Sequence, residues 1–200
     1  MENRIITISR QYGSGGRQIG QALAKRLDIP FYDSAIIALA AKESGFAADC
    51  FEQAEKNGSY LVRDYATSMS VPLSLLDKVY LAQYSAIKAL AQKGPCVIVG
   101  RGAGAVLQGQ AELLNVFVYA DLQTRKRRAI EEYGDNAHKI EEHIAAIDKK
   151  RAAYFKFYTD VNGGRMESYH LCIDSGYIGL QNAVTLIETA YLLHAPIAKA

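Results

Sequence analysis

Five short runs of β-branched and aromatic residues, separated by stretches of helical periodicity, constrain this chain more than any other feature. The runs are RIITI (residues 4–8), IPFY (29–32), CVIV (96–99), NVFVY (115–119) and LCID (171–174). Their apolar residues are nearly continuous rather than alternating, as in strands buried on both faces. Helical patterns fill the intervals at 17–27, 34–43, 75–93, 122–133 and 180–193, the third with Leu76, Val79, Ala86, Ile87 and Leu90 on one stripe. Strands alternating with helices imply a parallel, doubly wound sheet. Gly94-Pro95 stops the long helix just ahead of the third strand.

Two hundred residues, half of them hydrophobic, suffice for a sizeable core and predict a single domain over 1–200. The segments 45–74 and 134–169 show no clear strand and are polar or tyrosine-rich. They read as helical inserts covering a site at the strand ends. Lys and Arg number 23 against 21 acidic residues, so net charge gives no case for a nucleic-acid or membrane partner. Cys50, Cys96 and Cys172 lie far apart and form no C-x-x-C pair, which argues for reduced, mostly buried thiols and against a disulfide framework or zinc site. His138, His143, His170 and His194 have no metal-ligand spacing. No leader-like start or apolar run of about 18 residues is visible, and the expected location is the cytoplasm.

The first strand leads into QYGSGGRQIGQAL, where Gly13, Ser14, Gly15 and Gly16 precede a helix beginning near Arg17. Successive glycines let backbone N–H groups converge on an anion at a helix N-terminus, where the helix dipole adds to the attraction. Two loop classes compete for this stretch. The dinucleotide fingerprint G-x-G-x-x-G is met by Gly13 and Gly15 but broken at Gln18, although Asp33 falls about 20 residues on, where a ribose-binding acid would sit. The triphosphate pattern G-x-x-x-x-G-K-[ST] puts Arg10 at its first position, Gly16 at the lysine and Arg17 at the hydroxyl. The several-residue loop after the strand suits the wider triphosphate cradle. Arg17 is then expected to replace the lysine charge, since a guanidinium makes bidentate phosphate contacts.

The blocks ITISRQYGSGGRQIGQALAKRL, IPFYDSAII, VIVGRGAGAVL, VFVYADLQTRKRR, IDKKRAAYFKFYT and YHLCIDSG together span nearly the whole chain, and the chain resembles the cytidylate-kinase-like family, in the nucleoside monophosphate kinase group. The resemblance implies an adenylate-kinase-like P-loop core, a five-stranded parallel sheet in three α/β/α layers, with a helical monophosphate-binding insert at about 45–74 and a lid at about 134–169. It implies ATP and Mg²⁺ as cofactors, with magnesium ligands left unassigned. Gly13, Ser14, Gly15, Gly16, Arg17 and Gln18 would then cradle the donor phosphates.

Asp33-Ser34 matches the pair that contacts the acceptor nucleotide, with Asp33 holding a magnesium-bound water; a helix N-cap explains the same position. Arg101, between Gly100 and Gly102 after the third strand, would grip the acceptor monophosphate. Cytidylate kinases carry aspartate at the next position, here Gly102, so the acceptor is open. Asp148 and Arg151 match the lid's D-x-x-R element, with Arg151 on the transferring phosphoryl group. The basic cluster 125–128 reads as a solvated helical face, with Arg125 as its one lid residue. Tyr154, Phe155, Phe157 and Tyr158 are expected to pack the lid helix or a subunit contact, which leaves a homo-oligomer open. The function expected is phosphoryl transfer from ATP to a small molecule, CMP or dCMP first. A nucleotide-binding regulator without catalysis, a kinase of a non-nucleotide acceptor and, more weakly, a nicotinamide-dependent oxidoreductase are the alternatives.

Overall fold

The computed structural model describes residues 4–43, 75–159 and 164–193. The insert expected at 45–74, and with it Cys50, lies outside the described residues, as does His194. Strands β1 (Arg4–Arg10), β2 (Phe31–Tyr32), β3 (Cys96–Val99), β4 (Glu112–Tyr119) and β5 (Leu171–Asp174) form one parallel sheet in the order β2-β3-β1-β4-β5. β1 is central, with Ile5 to Ile8 paired to Cys96 to Val99 and Arg4 to Arg10 paired to Glu112 to Val118.

Side chains of a strand alternate between faces, and here both faces are covered. Ile6, Ile8, Val97, Val99, Val116 and Val118 pack with Ile19 and Leu23 of α1 (Gly16–Leu27) and with Ala183, Val184 and Ile187 far along the chain. Ile5, Cys96 and Ile98 point the other way, onto Ile37 of α2 (Ser34–Glu43) and Ile87 and Leu90 of α3 (Leu75–Gln92). The result is the three-layer α/β arrangement expected from the strand runs. Burial also holds the Cys96 thiol up at about 12, so it is protonated and unreactive at neutral pH; Cys172 is half-buried and also free.

The remaining elements are α4 (Ala103–Val106), α5 (Leu122–Glu131), α6 (Ile140–Thr159), a short 3₁₀ turn at Met166–Ser168, α7 (Ser175–Ile178) and α8 (Leu180–Leu193). The region expected as a lid is built on α6. Two of its four aromatics pack it on α3: the Tyr158 ring stacks on Tyr80 at 3.8 Å, and Tyr154 Oη donates to Gln83 Oε1 at 3.1 Å, whereas Phe157 is exposed. Among the described residues no helix is long and apolar enough to cross a membrane.

Gly20 is where α1 comes closest to the sheet. A Cβ there would lie 2.7 Å from Val99 Cγ2 and 3.2 Å from the Phe31 ring. Helix propensity alone would favour a larger residue by under about 1 kcal/mol, but overpacking a closed core costs about 1–3 kcal/mol. Gly20→Val is therefore expected to lower stability by about 2 kcal/mol in urea denaturation; an unchanged midpoint would show that α1 sits farther from the sheet.

Candidate functional site

The candidate site lies at the carboxyl ends of β1 and β3. β1 runs directly into the glycine loop, where Gly13 and Gly15 adopt φ of 77° and 79°. L-residues with side chains rarely occupy that region, so the glycines are required by the turn. No side chain caps α1 and no acidic residue stands in its first turn. Its first amides and its dipole are thus open to an anion. Ser14 is fully buried and its hydroxyl donates to the Gln11 carbonyl, so Ser14 serves the loop's own shape. Gln18 donates from Nε2 to Glu132 at 2.7 Å, while its buried Oε1 has no hydrogen-bond partner.

The loop is braced from α5, which corrects the reading of the 125–128 cluster as a solvated face. Arg125 and Arg128 are 8% and 5% exposed. Arg128 donates to the Ser14 carbonyl and to Ser175 Oγ, each at 3.0 Å, and the Ser175 hydroxyl donates to the same Ser14 carbonyl. Arg125 donates from Nε to the Tyr12 carbonyl at 2.7 Å and pairs with Asp148. Asp148 accepts in turn from the Tyr12 amide at 2.8 Å. Charge at these positions is buried because each guanidinium satisfies loop carbonyls that would otherwise lack partners. The spacing i, i+3 puts Arg125 and Arg128 on one face of α5, and that spacing was the available signal. Lys126 pairs with Glu141, and Arg127 is exposed, as a solvated face requires.

Arg17 and Asp33 meet. Arg17 Nε and Nη2 both lie 2.8 Å from Asp33 Oδ2, with the Arg17 side chain 60% exposed and Asp33 at 6%. Asp33 Oδ1 accepts from the amides of Ala35 and Ile36, which makes Asp33 the N-cap of α2. Both oxygens of that carboxylate are therefore engaged. Burial raises the Asp33 pKa, but the Ile36 amide and Arg17 outweigh it and hold the carboxyl below its ordinary 3.8.

Beside the loop opens a cleft of about 470 Å³, lined among others by Ser34, Arg101, Asp148, Arg151, Tyr154 and Phe155. Four expected site residues thus converge on it. Gly13, Ser14, Gly15, Gly16, Arg17, Gln18, Asp33 and Arg125 are not among its described lining. Arg101 adopts φ 54° between two positive-φ glycines, and its guanidinium lies 5.7 Å from the Tyr154 ring centroid. Arg151 reaches from α6 over Tyr12 at 5.4 Å, with Nη1 buried, without a hydrogen bond, and 3.8 Å from Asp148 Oδ1. Burial pushes the Arg151 pKa down. Among the lining residues that sequence reasoning did not assign to the site is a third arginine, Arg10, which it placed only as the first position of an imperfect loop pattern.

A model of the cytidylate kinase-like family matches residues 5–177. The chain belongs to that family. Solved structures resemble it over nearly their full length. A protein from Eubacterium ventriosum is 24% identical with a TM-score of 0.73, covering 95% of this chain and 99% of that one. Shikimate kinase from Bacteroides thetaiotaomicron is 14% identical at TM-score 0.56, covering 95% and 98%. TT1252 from Thermus thermophilus is 17% identical at TM-score 0.56, covering 98% and 100%. No curated protein matches. Family and fold are those of P-loop kinases.

The Asp33 arrangement predicts a pH signature. A carboxyl whose folded pKa is depressed stabilises the fold above its unfolded value and loses that contribution as pH falls through the folded one. Asp33→Asn keeps a capping oxygen and loses the half-exposed ion pair, so it should cost under about 1 kcal/mol at neutral pH. That deficit should disappear as pH drops below 3.8; a deficit that stays constant into acid would show that the carboxylate charge contributes nothing.

Proposed function

We propose that this protein is an ATP-dependent phosphotransferase acting on a small phosphorylated acceptor, with CMP and dCMP the first candidates. The observation that carries the reading is the convergence of Arg101 and Arg151 on one cleft at the strand ends, beside a glycine loop that opens a helix N-terminus. Ligands of open α/β sheets bind there. Phosphoryl transfer asks a protein chiefly to align two phosphates and neutralise charge while water is kept out.

In this reading the donor phosphates lie on the loop amides of residues 13–18, and Arg101 holds the acceptor phosphate. An oxygen of that phosphate attacks the terminal phosphorus of ATP, and ADP departs. Arg151, carried by α6, offsets the charge spread over the transferring group, and Asp148 orients that helix against the loop through Tyr12 and Arg125. Ser34 contacts the acceptor from the cleft wall.

Magnesium would travel with the triphosphate, held by phosphate oxygens and retained waters. The chain's own residues fit a dedicated metal site poorly: the Asp33 oxygens are engaged, and no group of three or more acidic, histidine or cysteine side chains able to hold a metal occurs among the described residues. The same features, with Gly16 and Arg17 at the loop positions that usually carry lysine and a hydroxyl and with Gly102 after Arg101, favour a second reading in which the protein binds nucleotide as a regulator without turnover.

A coupled ADP-release assay with ATP, Mg²⁺ and a panel of CMP, dCMP, UMP and AMP separates the readings. Turnover specific to one monophosphate is expected. Arg151→Ala should lower it by about 10³-fold with the fold intact, the order seen when a transition-state charge is left uncompensated. A wild-type rate in Arg151→Ala would remove that residue from the mechanism. Silence across the panel, with ATP still raising Tm, would instead establish the regulator or a non-nucleotide acceptor.

A further inference from the structure

Arg10 is the last residue of β1, and the path of its side chain is built by two missing Cβ atoms. A Cβ on Gly16 would lie 2.7 Å from Arg10 Cβ and 3.1 Å from Cγ. A Cβ on Gly100 would lie 2.1 Å from Arg10 Nη1 and 3.1 Å from Cζ. The stem therefore runs under the start of α1, and the guanidinium ends against the turn after β3, lining the cleft. Gly16, which stands where such loops carry lysine, is the residue that lets an arginine from the strand pass beneath.

The guanidinium arrives without a counter-ion. Among the described residues no carboxylate pairs with it and no hydrogen-bond acceptor receives it. Asp33 is engaged by Arg17 and two amides, and Asp148 by Arg125, the Tyr12 amide and, at 3.8 Å, Arg151. Burial first, then Arg151 from α6 and Arg101 from the β3 turn, disfavour its charge, while Asp33 and Tyr133 act the other way. A guanidinium keeps its proton in proteins, so the site stores an uncompensated, partly desolvated charge beside two others.

We infer that Arg10, Arg101 and Arg151 form one oxyanion site for a phosphoryl group, with Arg10 supplying from the strand end the cation that the loop lacks. The inference deepens the phosphotransferase reading and rests on it only for which phosphate is held. Three guanidiniums lining one cleft suit the oxygens of a tetrahedral dianion, and an anion there offsets the repulsion among them. Arg17, tied to Asp33 on the exposed side of α1, is left to position the start of α2.

The test needs no turnover. Inorganic phosphate is titrated into the full chain and followed by thermal melting and calorimetry, against chloride at matched ionic strength. Wild type should be stabilised by phosphate beyond the chloride control. Arg10→Met, which keeps the stem and removes the charge, should melt at or above the wild-type temperature without ligand and bind phosphate at least about tenfold more weakly. Arg10→Lys should fall between them, which keeps the test decisive if the methionine variant fails to fold. Unchanged phosphate binding in either variant, or no phosphate effect in wild type, overturns the site. Phosphate binding lost in Arg10→Met while no acceptor is ever phosphorylated would uphold the site and count against the kinase alone.

Discussion

Arg125 and Arg128 leave α5 on the face that packs against the glycine loop, and both guanidiniums are spent on it. Arg128 joins the Ser14 carbonyl to Ser175 at the start of α7, and Arg125 joins the Tyr12 carbonyl to Asp148 on α6. A loop made of glycines has little intrinsic preference for one conformation, so its shape must be imposed by partners. The helix that follows β4 thus holds the loop that follows β1, and the same ion pair sets where α6 lies. Arg151 is carried on that helix three residues beyond Asp148. Its place at the cleft is a consequence of the brace.

The charges near the site divide into those that are matched and those that are not. Arg17 is matched by Asp33, Arg125 by Asp148, and Arg128 by carbonyls and a hydroxyl. The first two pairings occupy the carboxylates of Asp33 and Asp148. Arg10 is left with cationic neighbours on two sides. A surface that keeps positive charge inward and commits its carboxylates to structure is suited to an anionic guest, because the guest supplies what the protein withholds. The glycines at 16 and 100 belong to the same arrangement, since each makes room for the Arg10 side chain.

Much of this was legible beforehand, and unevenly. The strand runs at 96–99 and 171–174 and the helix at 180–193 match the observed elements, because continuous β-branched runs and a clean helical stripe carry their own boundaries. β4 starts at Glu112 rather than at 115, since its length is set by pairing with Arg4 and Ile5 and not by apolar character. β2 shrinks to Phe31–Tyr32 for the converse reason: it pairs only with Val97 and Ile98. Asp33 was readable both as a cap and as a site residue, and the structure shows the cap together with a pairing to Arg17 that its sequence position did not suggest. The basic cluster on α5 was misread because burial of a charge depends on acceptors more than a hundred residues away, and Arg128 and Ser14 stand 114 apart.

The sequence by itself determined the alternation of strand and helix, the glycine loop at a helix start and the family to which the chain belongs. These follow from periodicity and backbone preference, which act over a few residues and can be read along a line. Only the tertiary structure decided which arginines are paired and which face the cleft. Ion pairing and desolvation fall off within a few ångströms of space, whatever the separation in sequence, so the partners of Arg10, Arg125 and Arg128 exist only once β1, the β3 turn, α5 and α6 have been brought together.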